Sequence, residues 1–147
     1  MPKRRSEPAA SLPALVEATK GLAHPARLRL LAMLADGELC VCQMTAVLAL
    51  APSTVSQHLS VLARGGLVTE RKQGKLVFYR LGESGPAAGL LRPLLASLGE
   101  DPAVRADREV VARLRTIPVA TLCAAEVDLV ALGSRRSRQR AGAEARG

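Results

Sequence analysis

The stretch PSTVSQHLSVLARGGLVTERKQGKLVFYRL, residues 52–81, changes its period halfway along, and that change decides the fold. Its first part places Val55, Leu59 and Leu62 at i, i+4 and i+7, the spacing of one buried helix face, with Ser53 or Thr54 available as N-cap. Gly65-Gly66 ends that helix. Beyond it, Leu67-Val68-Thr69-Glu70-Arg71 and Leu76-Val77-Phe78-Tyr79-Arg80-Leu81 are two β-prone runs joined by Lys72-Gln73-Gly74-Lys75, which predicts a hairpin. Arg64, Arg71, Lys72, Lys75 and Arg80 face Glu70 alone, so the hairpin region is basic.

Upstream, residues 12–22 read as a short helix with Leu12, Leu15, Val16 and Thr19 on one side. Pro25 suits the first turn of a second helix, whose stripe of Leu28, Leu31, Met33 and Leu34 stops at Asp36-Gly37. A third helix is predicted from about Leu39 to Leu50. Helices followed by a tight turn, a further helix and a two-stranded ribbon make a winged helix-turn-helix. In that mainly α fold the second helix of the turn enters the major groove and the β wing lies along the backbone. Downstream, Ala87, Leu90, Leu91, Leu94, Leu95 and Leu98 form a helical stripe that Pro93 either kinks or starts late. Asp101-Pro102 is a cap followed by an N1 proline, opening a helix to about Arg115, and a last helical pattern runs from Thr121 to Leu132.

Four segments follow: a basic arm over 1–11, a DNA-binding and dimerisation domain over 12–98, a helical C-terminal extension over 99–133 and a basic tail over 134–147. The chain has 147 residues and a net charge of +8, with Phe78 and Tyr79 its only phenylalanine and tyrosine and no tryptophan. A core of Leu, Val and Ala argues for packed helices and against sandwiches and barrels. Much of the positive charge sits in the arm (Lys3, Arg4, Arg5) and in the five tail arginines, so the basic hairpin is what ties the folded body to nucleic acid. No stretch reaches the roughly 18 to 20 apolar residues of a membrane span. Met1-Pro-Lys-Arg-Arg lacks an apolar run beside its charges, so a cytoplasmic protein without a membrane partner is expected.

On the helix of residues 53–64, Ser53, Thr54, Ser56, Gln57 and Ser60 occupy the side opposite the apolar one. These are short hydrogen-bonding groups suited to base edges and phosphates, and Gln57 can pair bidentately with adenine. His58 lies beside Leu59 and fits either a phosphate contact or a packed imidazole. In the hairpin, Arg71, Lys72, Gln73 and Lys75 would meet the backbone. A monomer covers one half-site. The stripes of residues 12–22 and 87–98 have no further core to bury against, which predicts a twofold homodimer on double-stranded operator DNA.

The three cysteines divide two and one. Cys40 and Cys42 stand two apart at a helix start, where regular geometry points them about 200° apart, so both reach one ion only if that turn is loose. Deprotonated, they suit a soft, thiophilic ion. As bare spacing the pair equally fits two small buried hydrophobes. Catalysis is not expected: Cys42 or Cys123 could pair with His58 or His24, but no oxyanion hole, orienting group or organic-cofactor loop accompanies them.

HPARL at residues 24–28, ELCVC at 38–42, STVSQHLSVL at 53–62, GLV at 66–68 and RKQGK at 71–75 with Tyr79-Arg80-Leu81 together resemble the ArsR/SmtB family of metalloregulators, specifically its arsenic-sensing repressors. The resemblance covers roughly residues 12–98. It implies a homodimeric repressor that leaves its operator when trivalent arsenic or antimony binds thiolates, here Cys40 and Cys42. Many relatives carry another cysteine three positions on, where this chain has Thr45. The third donor then comes from Cys123, a small-molecule thiol or water. The zinc-sensing branch of the family uses His and carboxylate ligands on its C-terminal helix, and His24 and His58, the only histidines, both lie elsewhere, so a zinc site there is not expected. Cadmium, lead or oxidants acting on the same thiols are the alternative signals.

Overall fold

A computed structural model describes residues 11–124. The elements run α1 (Leu12–Leu22), α2 (Pro25–Leu34), β1 (Leu39–Cys40), α3 (Val41–Leu48), α4 (Pro52–Arg64), β2 (Val68–Gln73), β3 (Leu76–Leu81), α5 (Pro86–Leu98) and α6 (Pro102–Leu114), with helical residues again over 119–124. The arm, most of the Thr121-to-Leu132 pattern and the basic tail lie outside the described residues. Among those described, no single helix is long and apolar enough to cross a membrane.

The core forms where α2, α3 and α4 meet. Leu30, Leu31, Met33, Met44, Val55, Leu59 and Leu62 are each at most 1 % exposed, so the i, i+4, i+7 face of α4 is buried as its spacing demands. Such burial is worth roughly 1.5–3 kcal/mol per large aliphatic side chain. Helices α3 and α4 with the β2–β3 hairpin form a winged helix-turn-helix.

Three local readings are corrected. The third helix begins at Val41, because Leu39 and Cys40 are extended and pair with Tyr79 and Phe78 of β3. The wing is therefore part of a three-stranded antiparallel sheet, ordered β1-β3-β2. The N-cap of α4 is Ala51, without a side-chain cap bond, because Pro52 takes the N1 position that its fixed φ suits. Helix α5 starts at Pro86 and runs on through Pro93. Pro93 is exposed, as is Gly89, the residue at i−4 whose carbonyl the ring would crowd.

The hairpin is tighter than its sequence suggested. Its ladder reaches Gln73 opposite Leu76, which leaves only Gly74 and Lys75 in the turn. Gly74 has φ 59° while Lys75 stays at negative φ, the pattern of a type II′ turn with glycine first.

Candidate functional site

Helix α4 turns Val55, Leu59 and Leu62 inward, which leaves Ser53, Ser56, Gln57 and Ser60 exposed and Thr54 half-buried on its outer side. His58 is half-buried, and its ring lies 4.4 Å from that of His24. His24 is itself committed: Nδ1 accepts the Ala26 N–H at 3.0 Å, capping α2. Burial, and then the neighbouring His24 and Arg27, hold the His58 pKa below its ordinary value. The imidazole is thus packed against α2 on one side.

The wing residues differ among themselves. Lys72 and Lys75 are exposed, the former 3.6 Å from Glu70 across a solvated pair that contributes little. Arg71 is engaged within the chain. Its Nε lies 3.2 and 3.1 Å from the two Glu38 carboxylate oxygens, its Nη1 donates to Gln73 at 2.8 Å, and its guanidinium stacks over Phe78 at 4.5 Å. The Arg71 bond holds the Glu38 carboxyl below its usual range. This link joins the wing to the residue preceding β1.

Tyr79 donates its hydroxyl to Glu70 at 2.8 Å, and burial together with that bond pushes its pKa up to about 12. Nothing in the spacing of Glu38, Arg71, Glu70 and Tyr79 marks these partnerships, because each depends on strand register.

The thiols converge. Cys40, 1 % exposed, ends β1 and caps α3, where its N–H donates to Gln43 Oε1 at 2.8 Å. Cys42 follows in the first turn of α3 and is joined by a disulfide to Cys123, with the two Cα atoms 5.3 Å apart. Cys40 Sγ lies 3.9 Å from Cys123 Sγ, and all three sulfurs fall within 4.8 Å of one another. Because Cys40 is on a strand and Cys42 on a helix, the opposed directions expected within a regular helix do not arise. The set fits a soft ion once the disulfide is reduced: metal–thiolate bonds near 2.3 Å put sulfurs sharing one centre within about 4.6 Å, and the three sulfurs here lie within 4.8 Å of one another.

A cavity of about 520 Å³ adjoins the cluster. Its walls include the three cysteines, Ser56 and Ser60 of α4, and Lys75 of the wing. The sulfur site therefore adjoins both α4 and the wing.

Fold and site together describe a DNA-binding type of architecture with a thiol cluster built into it. Residues 24–70 match the model of the bacterial regulatory proteins of the arsR family. The chain is 47 % identical over 77 residues to the biofilm growth-associated repressor of Agrobacterium fabrum, spanning 52 % of this chain and 65 % of that protein. It is 41 % identical over 73 residues to the arsenical resistance operon repressor of Escherichia coli, spanning 49 % and 62 %. The alignments thus cover less than two thirds of these curated relatives. Among solved structures, the homodimeric winged helix-turn-helix DNA-binding domain Mb0332 of Mycobacterium bovis is 32 % identical, with a TM-score of 0.53 over 62 % of this chain and 83 % of that one. The chain belongs to the arsR family.

Proposed function

We propose that this chain is an arsenic-responsive transcriptional repressor, a homodimer that holds double-stranded operator DNA when free and releases it when trivalent arsenic or antimony binds Cys40, Cys42 and Cys123. The observation that carries the reading is the convergence of three soft donors, all within 4.8 Å, in a cavity shared with Ser56, Ser60 and Lys75. Ser53, Thr54, Ser56, Gln57 and Ser60 read base edges and phosphates from the groove. Lys72 and Lys75 meet the backbone, Arg71 and Gln73 shape the wing beside them, and His58 fixes α4 on the core while its edge faces phosphate.

Arsenic held by Cys40, Cys42 and Cys123 would tie β1 and α3 to the helical residues 119–124 beside the reading helix. To move the dimer from almost all bound to almost all released, arsenic must favour the non-binding state by about 5.5 kcal/mol. The test is fluorescence anisotropy of the reduced protein on DNA from upstream of its own gene, titrated with arsenite at near-physiological salt. Release near stoichiometric arsenite, lost in Cys40→Ser with Cys42→Ser, is expected. Tight binding indifferent to arsenite sinks the inducer assignment, and competition by cadmium or lead identifies a different soft ion.

The Cys42–Cys123 disulfide favours a second reading, in which an oxidant is the signal and the same thiols report it. Release by diamide without arsenite, reversed by dithiothreitol, would select that reading.

A further inference from the structure

Cys123 stands 81 residues beyond Cys42 in sequence, so its arrival at the sulfur site needs a physical cause. A flexible extension would hold its thiol at low effective concentration, since closing a long loop is entropically opposed. Helix α6 answers this with ionic links to the core. Arg29 of α2 donates from Nε and Nη2 to the two oxygens of Asp107, at 2.7 and 2.8 Å. Asp107 is 6 % exposed, and the bond raises the Arg29 pKa. The next residue of α6, Arg108, pairs in the same bidentate manner with Asp36, both contacts at 3.0 Å. Just past the end of α6, Arg115 donates to the carbonyls of Gly37 and Glu38 at 3.3 Å.

These links run in register along the segment from α2 to β1, and they end two residues before Cys40. Val104 and Val111, both 4 % exposed, bury the apolar side of the same helix, and Asp101 caps its start through the Ala103 and Val104 N–H groups. A bidentate pair on a buried carboxylate fixes orientation because both of its hydrogen bonds break if the helix slides or turns.

We propose that α6 is a positioning arm for the sulfur site, with Asp107–Arg29 as its anchor and Arg108 and Arg115 as its guides. The arm deepens the three-thiol reading above by making the third donor depend on residues outside the DNA-binding fold. Asp107 and Arg29 are positioning residues: neither touches a sulfur. Their work is to keep Cys123 facing Cys40 and Cys42.

The test measures Cys42–Cys123 cross-linking and arsenite protection separately. Reduced wild type and Asp107→Asn are treated with diamide, quenched in acid and mapped by mass spectrometry. The variant should form the cross-link at least about tenfold more slowly, the loss expected when a tethered thiol is no longer held in place. In the presence of arsenite, wild type should protect three thiols from alkylation and the variant two. Arg108→Ala with Arg115→Ala, which leaves the Arg29–Asp107 pair intact, should show a smaller slowing and covers the case in which Asp107→Asn does not fold. Wild-type cross-linking rates in both variants overturn the proposal. A wild type that cross-links rapidly yet protects no thiol against arsenite refutes the arsenic reading and leaves the arm standing.

Discussion

Cys40 and Cys42 differ by two positions and by one bond, since Cys42 holds Cys123 while Cys40 waits 3.9 Å from the same sulfur. Cys42→Ser should therefore redirect oxidation to a Cys40–Cys123 disulfide, visible by non-reducing peptide mapping. Finding Cys40 and Cys123 both reduced after diamide would show that the 3.9 Å gap does not close. His58 provides a pH test. Its pKa lies below the ordinary 6.5 because burial, His24 and Arg27 oppose its charge, so the unfolded chain takes up the proton more readily. Its contribution to stability is whole above about pH 6.5 and is lost as the pH falls through the folded-state value. The melting temperature should drop more steeply between pH 7 and 5 in wild type than in His58→Gln. Equal slopes would mean that the paired imidazoles do not govern acid stability.

At the scale of the element, the turn between α3 and α4 contains a conformational cost. Ala49 sits at φ 53°, in the left-handed region that suits glycine, and there caps α3 through its N–H to the Thr45 carbonyl. Ala49→Gly should stabilise the fold by up to about 1 kcal/mol, read as a rise in melting temperature, while leaving DNA affinity unchanged. Leu59 has no exposed surface, so Leu59→Ala should cost about 2–5 kcal/mol and loosen the reading helix on its support. A loss below about 1 kcal/mol in chemical denaturation would contradict the packing described. The wing depends on register in the same way: Arg71 reaches Glu38 only because β1 pairs with β3 and β3 with β2.

At the scale of the whole molecule, α1 leaves Leu12 77 %, Leu15 36 % and Val16 43 % exposed. The stripe of α5 is partly consumed within the chain, with Ala87 and Leu91 buried. A twofold partner across α1 is the expected cover, and Leu15→Glu with Val16→Glu should halve the mass seen by light scattering and weaken operator binding. Wild type running as a monomer at micromolar concentration would remove that expectation. The winged helix-turn-helix was legible because each of its parts carries a local signature: the α4 spacing, the glycine punctuation and the two β-prone runs that end at Leu81. ELCVC, likewise, marked two thiols without their geometry. Local pattern, however, acts over one or two turns of chain, and pairing between distant residues leaves no such trace. That Leu39-Cys40 is a strand, that Arg29 finds Asp107, and that Cys123 crosses 81 residues to join Cys42 were decided only by tertiary packing. There, burial and ion pairing select one arrangement among many that the sequence alone permits.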